Sequence, residues 1–181
     1  MFREARSEDI DEVHRLLVAE AGQGRFDARL AEEPYASGLR KNLNAIRKRG
    51  RRLDQDVEAQ LLVWEQDGRL AGCVINSAIV PQAGNEIWMI AVTPEARGKG
   101  VGRAMNDALL AQLHPHVDLF ARCSAQAGVA CEMFLRRGFL PLDVTDQGVR
   151  VLKLPKMGAP LAAQRGSHQQ LEPFVKIKTR R

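Results

Sequence analysis

The sequence predicts a mixed α/β domain. Two observations carry that expectation. Apolar runs of strand length alternate with stretches of helical periodicity, and in mid-chain a glycine-rich turn joins one such strand to one such helix. A chain of 181 residues is long enough for one domain with a full hydrophobic core.

Ser7 stands where an N-cap is expected, with Glu8 and Asp9 favourable in the first turn of a helix. Ile10, Val13, Leu16 and Leu17 give that helix its apolar face, and Gly22 and Gly24 end it. Pro34 precedes a second helix, with Leu39, Leu43 and Ile46 on one side and Gly50 as its stop. Residues 59–65 and 70–80 are apolar runs around Asp67-Gly68, a dipeptide suited to a tight hairpin. Residues 81–84 form a loop into the apolar run 87–92. Val101, Met105, Ala108, Leu109 and Leu113 recur at helical spacing. From 117 to 123 the residues alternate, with Val117, Leu119, Ala121 and Cys123 on one side, which reads as a strand. Val129, Ala130, Met133 and Phe134 mark a further helix, and residues 140–144 and 149–154 read as a closing hairpin around Asp146-Gln147-Gly148.

Pro155, Gly158 and Pro160 mark a boundary, so residues 1–155 form the expected domain and 156–181 a basic extension. Residues 159–170 are small and polar, as in a linker, and the apolar Phe174, Val175 and Ile177 could dock as a short strand at 174–178, on this subunit or on a neighbour; the plain alternative is a frayed basic terminus. The formal charge of +5 comes from this extension, which holds six of the Lys and Arg residues and one acid; residues 1–155 are neutral. Such a tail does not by itself favour a nucleic-acid partner, since most basic termini are solvated. A second basic cluster runs from Arg40 through Lys41, Arg47, Lys48, Arg49 and Arg51 to Arg52. No run of 18 apolar residues is present, so no membrane span is expected. Acids at Glu4, Glu8, Asp9 and Asp11 interrupt the start, so no secretory leader and a cytoplasmic location are expected. Cys73, Cys123 and Cys131 read as reduced, buried thiols, and no metal-type spacing occurs among cysteines, histidines and acids.

Arg97-Gly98-Lys99-Gly100-Val101-Gly102 is the most informative stretch. Backbone N–H groups at a helix start lack partners within the helix, the helix dipole adds positive charge, and glycines let the backbone approach an anion closely. The P-loop pattern fails, because no Lys-Ser or Lys-Thr follows at the required spacing. The dinucleotide pattern G-x-G-x-x-G fails on the glycine positions 98, 100 and 102. A third pattern, [Q/R]-x-x-G-x-[G/A], is met by Arg97, Gly100 and Gly102. It is the pyrophosphate loop of the GNAT acetyltransferases. The plain alternative is an ordinary glycine-rich turn before a surface helix.

The surroundings resemble the same family. Residues 85–94 resemble its strand before the loop, Phe134-Leu135-Arg136-Arg137-Gly138-Phe139 is similar to its Y-E-K-L-G-F segment, and residues 2–10 resemble its opening strand and helix start. The resemblance covers residues 2–154. It implies a twisted, mostly antiparallel sheet with helices on both faces. The strand holding Glu86 and the strand starting at Val117 would run parallel and splay to hold acetyl-CoA.

The resemblance also implies roles. Ile90, Ala91 and Val92 would pair with the pantetheine arm. Arg97, Gly98, Lys99, Gly100, Val101, Gly102 and Arg103 would hold the phosphates. Glu86, six before Val92, occupies a position where several members place a base; among apolar neighbours its pKa would rise, which suits that task. The plain alternative is a strand-end glutamate in a salt bridge. The Val92 N–H, freed by a bulge, would polarise the thioester carbonyl. Two positions depart from the pattern. The usual general-acid tyrosine is Phe134, and the asparagine seven residues earlier is Ala127. Water, Ser124 or Cys131 would have to replace that acid.

The implied reaction is direct acetyl transfer to a primary amine in a ternary complex. A small-molecule amine is the leading acceptor; it would need an acidic cleft, supplied by acids of the first helix or by Glu32 and Glu33. The alternatives are a protein lysine or N-terminus, and a catalytically weak acetyl-CoA-binding module. Homodimers are common in the family, and the apolar tip of the tail is compatible with one.

Overall fold

In a computed structural model of the protein, residues 1–79, 84–158 and 174–179 are described. In chain order they form β1 (Phe2–Glu4), α1 (Ile10–Gly22), α2 (Tyr35–Arg49), β2 (Ala59–Gln66), β3 (Arg69–Ala78), β4 (Asn85–Val92), α3 (Val101–Leu113), β5 (Leu119–Cys123), α4 (Gly128–Leu135), β6 (Leu140–Val144) and β7 (Arg150–Leu154). The strands make one sheet in the order β1-β2-β3-β4-β5-β7-β6, antiparallel except for the β4–β5 pair.

Alternation along the strands builds a core on each face. Leu61, Val63, Cys73 and Ile75 point to the side where Ile10, Val13, Leu17, Leu39 and Leu43 bring α1 and α2 down. Leu62, Val74, Ile87, Leu119 and Ala121 point to the other side, under Met105, Leu109 and Leu113 of α3 and Phe134 of α4. The β2–β3 turn has positive φ at Asp67 (52°) and Gly68 (71°), the hand that matches the strand twist.

Two boundaries differ from the sequence reading. Helix α1 begins at Ile10 with Asp9, not Ser7, at the cap position. The Asp9 carboxylate turns back to Arg3 (2.6 and 3.0 Å) and the Arg6 N–H (2.6 Å), which ties β1 to the helix start. Strand β5 begins at Leu119, because the Val117 N–H still bonds the Leu113 carbonyl (3.1 Å) and closes the end of α3.

The C-terminal segment corrects an expectation. Residues 174–179 form no strand. They cross the sheet face, where amide side chains take their backbone groups. Gln60 of β2 exchanges two hydrogen bonds with Ile177 (3.0 and 2.9 Å), and Asn85 of β4 exchanges two with Val175 (2.8 and 3.2 Å). Asn76 of β3 adds a bond to the Val175 carbonyl (3.0 Å) and Gln112 of α3 accepts from the Lys178 N–H (2.7 Å). Ile177, part of the apolar tip offered for a neighbour, is buried in its own subunit. The expected linker, 159–170, and most of the loop 81–84 lie outside the described residues.

Candidate active site

Strands β4 and β5 pair only at Asn85–Leu119, Glu86–Phe120 and Ile87–Ala121. The register of β4 on β3 then shifts by one, since Ile75 faces Met89 while Asn76 faces Ile87. Trp88 is the extra residue of this bulge, which bends β4 away from β5. Backbone groups of successive strand residues point to opposite sides. The Thr93 N–H bonds the Ala71 carbonyl on the β3 side (3.0 Å). The N–H and C=O of Val92, and of Ile90 before it, therefore face the opening.

That opening is a cleft of about 630 Å³. Of the residues singled out from the sequence, Ile90, Ala91, Val92, Arg97, Gly98, Gly100, Val101, Gly102 and Arg103 line it. Lys99 does not; it borders a separate surface groove beside Glu95 and Glu12. Cys123 of β5 and Ala130, Met133 and Phe134 of α4 form the facing wall.

The loop between β4 and α3 is built for close approach. Gly98 (φ 72°) and Gly100 (φ 79°) are left-handed, and a Cβ on either would meet nothing within 4 Å. Gly100 caps α3 without a side-chain bond, and the first intrahelical bond is Ala104 N–H to the Gly100 carbonyl. The N–H groups of Val101, Gly102 and Arg103 thus have no helical partner. Arg97 does not point away from the protein. Its Nη2 meets Glu20 Oε1 at 2.5 Å and its Nε donates to the Val92 carbonyl at 3.2 Å.

Glu86 lies one side chain behind the cleft wall, 3% exposed. Its Oε1 is 3.4 Å from Arg122 Nε, and its Oε2 is 4.0 Å from Arg52 Nη1. Burial raises the Glu86 carboxyl above the usual carboxylate range, against the pull of Arg122 and Arg52. Arg52 is itself buried, stacked on the Trp88 ring (3.6 Å to the centroid), and paired with Asp54. The basic cluster of the sequence therefore turns one member inward.

Arg25 and Arg122 were not singled out from the sequence, Glu20 entered only among the acids of the first helix, and Ser124 only as a candidate acid. Glu20, on the inner side of α1, joins Arg25 (2.8 Å) to Arg97. Ser124 Oγ bonds the carbonyls of Gly24 (2.7 Å) and Arg25 (3.2 Å), so the segment after α1 lies across the mouth of the splay. Arg122 was visible in one respect, as a charged residue interrupting an apolar strand. Phe134 is 2% exposed and packs on Phe139 at 5.0 Å, so this position is core and supplies no proton. Burial also pushes the Cys123 thiol up to about 12. Of the acids expected to line an acceptor pocket, Glu32 and Glu33 do not reach the cleft, and Glu33 bonds Ser37 (2.9 Å).

A splayed parallel strand pair with a glycine-rich helix start between its arms is the arrangement that the sequence resemblance implied. A sequence model of the acetyltransferase (GNAT) family matches residues 26–139. The chain belongs to the GNAT family. Solved structures agree on the fold. A spermidine N-acetyltransferase from Vibrio cholerae, in complex with CoA and spermine, aligns with a TM-score of 0.63 at 17% identity, covering 86% of this chain and 95% of that one. The yncA protein of Salmonella typhimurium, with its cofactor acetyl-CoA, gives 0.65 at 16% identity over 90% and 98% of the two chains. A ribosomal-protein-alanine N-acetyltransferase from Brucella melitensis gives 0.63 at 16%, over 86% and 99%. No curated protein gives a significant sequence match. Among the described residues of this GNAT protein, no helix is long and apolar enough to cross a membrane, and no group of His, Cys, Asp or Glu could hold a metal ion.

Proposed function

We propose that this GNAT protein is an acetyl-CoA-dependent N-acetyltransferase acting on a primary amine of a small molecule, by direct attack in a ternary complex. One observation carries the reading. The cleft between β4 and β5 is lined from the backbone of the Gly98–Gly100 turn, past Val92, to Arg122, behind which Glu86 lies. The residues present fit the cosubstrate. Unpartnered N–H groups of Val101 to Arg103 suit a diphosphate, with Arg103 beside them, and the exposed β4 edge at Ile90 and Val92 suits the amides of a pantetheine arm.

An attacking amine must be neutral, and an alkylamine has a pKa of about 10.4. Glu86 takes the proton, directly or through a water, and its burial raises its basicity toward neutral pH. The Val92 N–H faces the cleft and stabilises charge on the thioester oxygen. The leaving thiolate departs without the usual tyrosine; a thiol of pKa about 8.5 is a fair leaving group near neutral pH. The buried Phe134 favours a second reading, a CoA-binding module with slow turnover.

Calorimetric titration with acetyl-CoA, followed by thiol release against a panel of amines, tests both. Tight binding with amine-dependent release supports the enzyme. Tight binding without release from any amine supports the module. No binding overturns the reading of the loop.

A further inference from the structure

The charges lining the cleft do not suit a polycation. Six arginines line it (25, 97, 103, 122, 136 and 137) against two glutamates, and both acids are already engaged. Glu20 holds Arg25 and Arg97, and Glu132 holds Arg136 at 3.1 Å. Arg103 and Arg137 share Asp107 at the helix end of the cleft. Arg122 differs from these. It lies at the acceptor end, on the sheet face of Arg52, Trp88 and Glu86, and its side chain is 52% exposed. Its carboxylate partner, Glu86, is buried and shared with Arg52.

Resting on the transferase reading above, we infer that the acceptor is an amine that also carries a carboxylate, and that Arg122 is the residue that reads it. A zwitterionic amino acid presents an ammonium and a carboxylate a few ångströms apart. Glu86 Oε1 and Arg122 Nε stand 3.4 Å apart with opposite charges, so such a molecule matches the pair charge for charge. The exposed Arg122 can turn from Glu86 to the incoming carboxylate in a bidentate contact. That move brings the ammonium to Glu86 and leaves Glu86 held by Arg52 alone. An acceptor lacking the carboxylate would leave Arg122 on Glu86, where it blocks the base and opposes a second positive charge. One proton then passes from the ammonium nitrogen to Glu86, the nitrogen lone pair forms the bond to the acetyl carbon, the carbon–sulfur bond breaks, and the second proton leaves the acylated nitrogen for the departing thiolate, directly or through water, giving the amide and CoA.

Thiol release is measured for amino acids, including ω-amino acids, against their amides and decarboxylated amines, with wild-type protein, Arg122→Gln and Arg122→Lys. The expected result is a kcat/KM about 10- to 100-fold higher for the acid than for its amide, the loss expected of one charge-assisted pair, carried mainly in KM. Arg122→Gln should erase that preference and Arg122→Lys restore part of it. Equal turnover of acid and amide by the wild type overturns the inference. So does an Arg122→Gln effect that is the same for both, because Arg122 would then only position Glu86. Failure of every carboxylated amine to turn over, while another amine does, overturns the role of Arg122 alone; binding of acetyl-CoA without release from any amine overturns the transferase reading as well. Failure of acetyl-CoA to bind removes the transferase reading with it.

Discussion

The β4–β5 pair is closed at one end and open at the other. At the closed end, Asn85 to Ile87 are laddered to β5, and the polar side chains there meet fixed partners. Asn85 Nδ2 donates to Asn76 Oδ1 (2.9 Å) and to Val175, and Gln60 clamps Ile177. At the open end, beyond the Trp88 bulge, the backbone of Ile90 and Val92 faces a cleft, and the helix start after Gly100 has no side-chain cap. The same strand is laddered to a neighbour on both sides over three residues; beyond them it keeps only β3, and the N–H groups of Ile90 and Val92 face the cleft. Buried polar groups left unpaired are costly, so the closed end is where the fold is sensitive and the open end is where function is. The two ends should therefore fail differently under mutation.

The largest effect is expected where the two ends meet. Glu86→Gln keeps the shape of a buried side chain and removes the base. The expected loss in kcat is about 100- to 10,000-fold, the range for general-base catalysis. The wild-type kcat/KM should rise as pH increases through the raised Glu86 pKa, because only the ionised carboxylate accepts a proton, and this acidic limb should vanish in the variant. Near-wild-type turnover with an unchanged pH profile would move the base elsewhere and leave Glu86 as a partner of Arg52 and Arg122.

At the closed end, Asn85→Ala strips the clamp on Val175 and leaves the Val175 N–H and the Asn76 Oδ1 without their Asn85 partner. The expected cost is about 1–3 kcal/mol of stability, read by denaturant unfolding, with kcat per folded molecule unchanged within about twofold. Removing residues 174–181 should have an effect of the same sign. A large loss of kcat with no loss of stability would contradict the separation of the two ends.

Much of the fold was legible because it rests on period. The faces of α1, α2 and α3, the Asp67-Gly68 hairpin and the left-handed Gly50 cap (φ 67°) are local signals, and each stands where the pattern placed it. The glycine loop was legible as a family pattern. What failed depends on contacts distant in sequence. Ser7 looked like a cap, but Arg3 recruits Asp9 instead. The resemblance implied a bulge in this strand, but its position at Trp88 leaves no trace in a run that is apolar throughout from 87 to 92. The amide clamp joins residues as far apart as Gln60 and Ile177, and nothing in either segment announces the other. Glu20 and Arg122 sat among surface-like charges until the fold turned them to the cleft. The acidic acceptor pocket was expected from acids of the first helix or from Glu32 and Glu33; of these only Glu20 of α1 lines the cleft, where it is paired with arginines.

At the open end, Gly100→Ala probes the loop backbone alone. The added Cβ meets no atom within 4 Å, but the residue sits at φ 79°, where a side chain costs about 1–2 kcal/mol. The expected outcome is acetyl-CoA affinity weakened by about tenfold in calorimetry, because the loop relaxes away from the geometry that aims the amides of α3. An unchanged affinity would show that those amides need no help from Gly100.

The smallest effect should come from Val92→Ile. If the open end acts through its backbone, the side chain of Val92 is only packing. Its Cγ2 lies 3.4 Å from where a Cβ on Gly102 would stand, so Val92 partly fills the space beside that glycine. Isoleucine keeps the β-branch and the strand geometry and adds one methylene, which a half-buried site absorbs with little strain. Both kcat and the KM for acetyl-CoA should then stay within about twofold of wild type, since the N–H that faces the cleft is untouched. A tenfold fall in kcat alone would mean that the position of the side chain, and not the backbone donor, controls the thioester carbonyl. A tenfold rise in KM alone would mean that the packing between Val92 and Gly102 sets the width of the cleft.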